Sequence, residues 1–573
     1  MFRNRRCLRL PVSGAARRAV CALLLSALGP AAPAEDAASS RLGWCGTSEH
    51  GGRDGVWASR ERLQRRGALR AAARSASFDA GQIAVLVDQG DLAFVKSALD
   101  LQGLAIRFTP EAGGYRVEHV AAAVAGDPGT PLALQDDDSR AVALPFAFPM
   151  GGESYATLYV NSDGNVTLGS GDRGAAPRTL GRLVSGPPRV AALFTDLDPS
   201  AGGAVTTAGD RDRFIVTWRD VPQFGKGDRN TFQLVLHRGG RIELVYSNDL
   251  NAEIEEGVAG IAPGYGRGGL SALDLSTASG AVLSGAVAES FRTSDRLDIA
   301  AAARRFYETH RDDYQQLVFF TSRPLTAPTA FAYSLTVRNT DAGIGAPVSD
   351  HTGGYGSQGR LESLVMMDAV AKYPDDLEKR FLRADSTLAV LAHEVGHRWL
   401  AYARFRDAAG PSDELLGRGK AHWSFFADTQ GSHNEGNAIE ELSHGRYRTT
   451  DAGVRYSPLD QYLMGIRPAA EVPPFFFVRS PVGAGDDPGR LPEVGVRFEG
   501  TRQDVTIEDV IAALGPRQPL AGPKPPFRQA YVYVSVGAPN AVELAKVDRI
   551  RTAFEAYFAN ATEGRWAVST SLD

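Results

Sequence analysis

Two rhythms of hydrophobic and polar positions divide the chain. From Leu144 onward, short apolar runs alternate with turns: Leu144 to Pro149, Ala156 to Val160 and Val166 to Gly169, the last two joined by Asn161-Ser162-Asp163-Gly164-Asn165, a hairpin signature. Further runs lie at 190–194, 213–218, 231–236 and 241–246, with Gly239-Gly240 turning the chain between the last two. This spacing predicts an antiparallel sandwich of about 120 residues. From about Arg292 the pattern is mixed. It predicts a helix over 300–310, strands over 316–320, 330–338 and 361–367, and helices over 505–514 and 545–558 flanking a strand over 529–536. Between them, Leu388, Leu391, Val395 and Trp399 recur at helical spacing behind the N-cap pair Asp385-Ser386, which predicts an amphipathic helix from about Thr387 to Arg404. Upstream, 81–88 reads as a strand, 58–73 as a helical patch and 126–138 as a linker.

The chain opens on a basic stretch, Arg3 to Arg18, followed by the apolar run Ala19 to Leu28 and by Ala32-Pro33-Ala34. That order is a secretory signal with cleavage before Glu35, so a secreted, extracellular or periplasmic location is expected. No later run is long enough for a membrane helix. Cys7 and Cys21 fall inside the signal, leaving Cys45 alone in an oxidising compartment with no internal disulfide partner. The remaining composition changes little. A net charge of −5 gives no basic field for nucleic acid, and 573 residues require several domains. The expected divisions are a signal at 1–34, a pro-like or linker region at 35–138, a sandwich at 139–290 and a mixed domain at 291–573.

The candidate chemistry lies on the predicted helix at 387–404. His393-Glu394-Val395-Gly396-His397 is an H-E-x-x-H motif: two imidazoles four residues apart share one helical face and can meet at a zinc ion, with Glu394 placed as general base. A catalytic zinc needs a third protein ligand. His422, in Gly419-Lys420-Ala421-His422, is the first choice, with Glu435 second and Asp460 or His444 behind them. Tyr462, Tyr456 and His444 are candidates for an oxyanion donor. The expected activity is zinc-dependent hydrolysis of a protein or peptide substrate, and a protein that only binds extracellular ligands is the alternative.

Several resemblances bear on these readings. Residues 144–264, with Phe194, Asp196, Asp198, Trp218, Val221, Pro222, Phe232, Gln233 and Gly260, resemble the nidogen-like extracellular domain, which implies a binding or spacing module for a matrix or cell-surface ligand. Asp196 and Asp198 are candidate calcium ligands or plain turn carboxylates. Residues 306–572 resemble secreted bacterial zinc-peptidase-like proteins, which implies an α+β zincin-like fold. The compact metzincin motif fails because Ala403 stands at its third histidine; the later Gly-x-x-His at 419–422 is similar to inserted metzincins of the leishmanolysin type, and Met464 falls where a Met-turn could lie. Asn434-Glu435-Gly436 resembles the third-ligand segment of gluzincins. Cys45-Gly46 is similar to the Cys-Gly pair that blocks zinc in matrix metalloproteinase zymogens. The expected fold is therefore multidomain, an antiparallel β-sandwich followed by a metzincin-type catalytic domain.

Overall fold

The computed structural model describes residues 44–45, 51–65, 76–126, 129–174, 177–326, 330–382 and 385–572. The expected signal at 1–34, and the part of the helical patch beyond Arg65, lie outside them.

Two sheets face each other across a shared core. One runs, in spatial order, Leu270–Ala272, Ala286–Arg292, Glu256–Ala262, Arg189–Phe194, Asn165–Leu168, Glu153–Asn161 and Ser139–Met150. The other runs Ser279–Leu283, Gly114–His119, Ala105–Glu111, Ile242–Tyr246, Asn230–His237, Arg213–Val221, Ala204–Gly209 and Thr130–Leu132. Val160, Val166 and Val190 of the first meet Val216, Phe232 and Leu244 of the second in one cluster, the alternate-residue burial that makes a sandwich. Trp218 is fully buried, stacks on Phe232 at 5.3 Å and donates from its indole to Ser162 O at 3.1 Å. The expected linker at 126–138 is corrected here: Thr130–Leu132 pairs with Ala204–Gly209, and Asp138 is buried. Strands 105–111 and 114–119, expected outside the sandwich, complete its second sheet.

The rest of the chain surrounds an eight-stranded sheet ordered Trp44–Cys45, Ala330–Thr336, Ser363–Ala369, Gln316–Thr321, Phe527–Val536, Ile83–Asp88 and Ser77–Ala80, with Val568–Ser569 paired beside Phe527–Val536. Its central pairs are parallel, whereas Ala330–Thr336 runs antiparallel to Ser363–Ala369. Alternation assigns its faces. Val318, Phe320 and Val365 point to one cluster, and Leu317, Phe319 and Leu364 point to the other. Parallel strands need cover on both faces. Helix α3 (Ile299–Tyr307) packs Ala300, Ala303 and Phe306 on one; α4 (Thr387–Gly396) and α7 (Ala541–Ala561) pack Leu388, Leu391, Ile550 and Phe554 on the other. The remaining α-helices among the described residues are α1 (Gly51–Arg65), α2 (Leu180–Ser185), α5 (Pro458–Leu463) and α6 (Ile507–Leu514). A four-stranded antiparallel sheet (437–443, 446–452, 497–505, 475–482) lies beyond the α4 cluster, and the aromatic run Phe475 to Phe477 is a buried strand of it. Among the described residues no helix is long and apolar enough to cross a membrane.

Helix α4 ends earlier than its apolar stripe suggests, at Gly396 rather than near Arg404. Trp399 is buried because it packs edge-on against Phe527 and Trp566, not because the helix continues.

Candidate metal centre

Helix α4 begins where Ser386 accepts from Ala389 N at 3.4 Å, and every residue from Thr387 to Gly396 is buried. Burial on all sides fits a helix between a sheet and a covering loop layer. His393 and His397, one turn apart, bring their Nε2 atoms to 3.0 Å. His422 arrives from the loop after the short turn at Arg418–Lys420, its ring centroid 5.2 Å from that of His393 and 4.8 Å from that of His397. Cys45 joins from the sheet edge, and the ligand atoms of Cys45, His393, His397 and His422 all lie within 4.8 Å of one another. Glu394 stands beside them, 1% exposed, with Oε2 3.3 Å from Cys45 Sγ.

Each imidazole is oriented by a carbonyl behind it. Nδ1 of His393 lies 2.7 Å from His433 O, that of His397 3.2 Å from Leu400 O, and that of His422 2.8 Å from Arg418 O. A carbonyl only accepts, so each Nδ1 carries its proton and each Nε2 keeps a lone pair facing the centre. Desolvation holds His397 and His422 well below the ordinary imidazole value and lowers His393, so the three are neutral ligands at neutral pH. Three buried neutral imidazoles with a thiol nearby suit zinc in chemistry and spacing.

The loop layer is tied to the helix through Asn434. Its Nδ2 donates to His393 O at 3.1 Å, and its own carbonyl accepts from Trp423 N at 3.0 Å, next to His422. Tyr456 OH donates to Ala392 O at 2.6 Å, and Trp423 Nε1 to Asp460 Oδ1 at 2.9 Å. Asp460 is thus a partner of Trp423 and the N3 member of the capping box that Ser457 opens on α5, outside the group of metal-spaced donors. Tyr462 OH accepts from Arg517 N at 3.1 Å, His444 is exposed in a hairpin turn, and Met464 is a fully buried core residue at the end of α5. The three candidates for an oxyanion donor have other surroundings: Tyr456 OH bonds a helix carbonyl, Tyr462 OH a loop amide, and His444 is exposed.

Glu435 is held by Arg418, whose Nε lies 3.2 Å from Oε2 and which also pairs with Oε1. The same guanidinium donates from Nη1 to Cys45 O at 2.8 Å and reaches His422 Nε2 with Nη2 at 2.9 Å. Desolvation opposes its charge, but Glu435 prevails and keeps the guanidinium pKa above its ordinary value. The lone pair on His422 Nε2 that accepts from Arg418 is the one a metal would take, so a bound ion would displace that contact and leave Arg418 on Glu435. Arg418 carries no motif of its own, and Asn434 stands in the Asn434-Glu435-Gly436 segment, whose resemblance points to Glu435 and not to Asn434. The cleft beside the donors is lined by Cys45, Phe331, Asp385, Glu394 and Leu491. Desolvation and then Glu435 push the Asp385 carboxyl up to about 7.

In the sandwich, Asp198 Oδ1 accepts from Ser200 N at 2.9 Å and Asp196 pairs with Arg178 at 3.0 Å. Neither joins a metal-spaced donor group among the described residues, which favours the turn-carboxylate reading.

Residues 108–305 match the family model described as NIDO related, and the sandwich strands between 105 and 292 occupy that stretch. The chain therefore carries a nidogen-related domain. No curated protein and no solved structure matches the chain.

Proposed function

We propose that the protein is a secreted zinc-dependent metallopeptidase of zincin type whose nidogen-related domain binds or spaces it at an extracellular surface. The observation that carries this reading is the convergence of His393, His397 and His422, each with Nδ1 committed to a carbonyl, beside a buried Glu394. Zinc held by these three residues would polarise a scissile carbonyl and acidify the attacking water. Glu394 takes the water proton and delivers it to the leaving amine, a role within reach because its Oε2 faces the donor centre. Arg418 fixes Glu435 and, through its own carbonyl, the tautomer of His422. Asp385, on the cleft wall, is one polar group in reach of a substrate side chain or backbone there. The signal read at 1–34 supports export.

A second reading is a binding protein whose mixed domain is structural, and the presence of Cys45 among the histidines favours it, since closed four-ligand zinc sites are structural. A structural site has no need of the carboxylate at Glu394. The test is hydrolysis of an internally quenched peptide mixture by zinc-loaded protein freed of the Cys45 side chain, compared with the same protein carrying Glu394→Gln. Hydrolysis lost in the second supports the peptidase; no hydrolysis in either supports the binding protein.

A further inference from the structure

We propose that Cys45 is the fourth ligand of the metal centre and that the segment carrying it keeps the peptidase latent until it is displaced. This rests on the metallopeptidase reading and extends it to regulation. Cys45 Sγ lies 3.4 Å from His397 Nε2 and 3.3 Å from Glu394 Oε2. Three histidines would leave one position of a tetrahedral zinc for water, and the sulfur, within 4.8 Å of all three histidine donors and beside Glu394, is the donor at hand to fill it.

The backbone around Cys45 blocks as well. Trp44–Cys45 pairs in parallel with Ala330–Thr336, placing Trp44 opposite Ala330 and Cys45 opposite Ala332. Phe331 and Ala332 line the cleft. An extended peptide substrate would pair with this same sheet edge, so one segment covers both the strand edge and the metal's free position. Arg418 clamps it by donating to Cys45 O at 2.8 Å.

The strand pairing of the segment is short, whereas the helix that follows it is firmly held. Helix α1 is fixed at the seam of the two bodies: Ser59 Oγ donates to Asp298 Oδ2 at 3.0 Å, Arg62 pairs with Asp298, and Glu61 Oε1 accepts from Ser290 N at 3.0 Å. By contrast, the strand pairing at Cys45 spans two residues, so peeling it away leaves the other strands of the sheet intact. In release the metal–sulfur bond breaks, water takes the position, and the thiolate takes a proton from solvent. Alkylation fixes the released form, since iodoacetamide forms a sulfur–carbon bond with loss of iodide and the resulting thioether is a poor ligand.

The test uses the full chain loaded with Co2+, together with Cys45→Ala. The expected result is a sulfur-to-cobalt charge-transfer absorption in the wild type that is absent in Cys45→Ala, while both keep the visible cobalt bands. Zinc-loaded Cys45→Ala should hydrolyse the quenched peptides roughly tenfold faster or more than wild type, as when under about a tenth of wild-type molecules are open. Iodoacetamide should raise the wild type towards the same rate and leave Cys45→Ala unchanged. Metal bound in the wild type without the sulfur band overturns the ligand assignment and leaves the peptidase reading intact. The band present with no hydrolysis in Cys45→Ala overturns latency and the peptidase reading together, and no metal bound in any form overturns the metal centre itself.

Discussion

Gly396 makes two physical effects compete. It stands in the last turn of α4 between Glu394 and His397, where replacing glycine by alanine would gain about 1 kcal/mol from helix propensity alone. A methyl group on its Cα would sit 2.2 Å from Asn434 Oδ1, 3.2 Å from Asn434 Cγ and 3.2 Å from Tyr456 Cε1. Asn434 is fully buried and its side chain cannot swing aside freely, because its Nδ2 bonds His393 O, while its backbone is held in place by the bond from Trp423 N to its main-chain carbonyl. Overpacking costs about 1–3 kcal/mol. Losing the hydrogen bond to the buried His393 carbonyl adds about 1–3 kcal/mol. After the propensity gain, Gly396→Ala should destabilise the mixed domain by about 1–5 kcal/mol. Because Asn434 joins the carbonyl of one ligand to the residue beside another, zinc affinity should fall about 10- to 100-fold. Thermal unfolding and zinc titration against a chromogenic chelator measure both quantities. Adding Asn434→Gly removes the clashing side chain and should recover part of the metal-affinity loss. A Gly396→Ala protein with unchanged zinc affinity and equal or higher stability would refute the packing argument.

Glu394→Gln in the Cys45→Ala background should keep full zinc content and lower hydrolysis by about 10²- to 10⁴-fold; a rate near that of its parent removes Glu394 from the mechanism. Asp172 lies between two buried guanidiniums, 2.7 Å from Arg182 Nη2 and 2.5 Å from Arg189 Nη2. Burial pushes its carboxyl up, but the two arginines prevail and hold it well below its ordinary value of 3.8. Asp172→Asn should destabilise the sandwich by about 3–5 kcal/mol at neutral pH, read as faster hydrogen exchange over residues 153–168. With a folded value below the unfolded one, this contribution is complete above pH 3.8 and fades as pH falls towards the folded value, so variant and wild type should converge in acid. A difference that persists undiminished in acid would contradict the ion-pair account.

What the sequence discloses follows the range of the contacts. The histidine pair of α4 is local, since spacing of four places both on one face, and the hairpin around Asn161 to Asn165 is a contiguous turn. The sandwich strands at 105–111 and 114–119 are harder to read, because their apolar faces are buried against Ile242–Tyr246, far along the chain. Ile83–Asp88 reads as a strand, yet nothing near it reveals that it pairs with Phe527–Val536, about 450 positions later. Trp399 extends the stripe of α4 although the helix has ended, because burial by Phe527 and Trp566 mimics helical periodicity. Around the metal donors, His422 is legible as a glycine-spaced histidine. Arg418 and Asn434 are not, since a guanidinium or an amide in a loop gains its role only from what the fold brings to it. Cys45 is conspicuous as the sole cysteine after the signal, but its distance from His397 is a property of the sheet edge.

The most direct measurement is the zinc content of the purified full chain, determined by elemental analysis for wild type, His422→Ala and Glu435→Ala. One zinc per chain in the wild type and in Glu435→Ala, with loss in His422→Ala, is the predicted result. No zinc in the wild type, or loss with Glu435→Ala alone, would contradict the three-histidine centre.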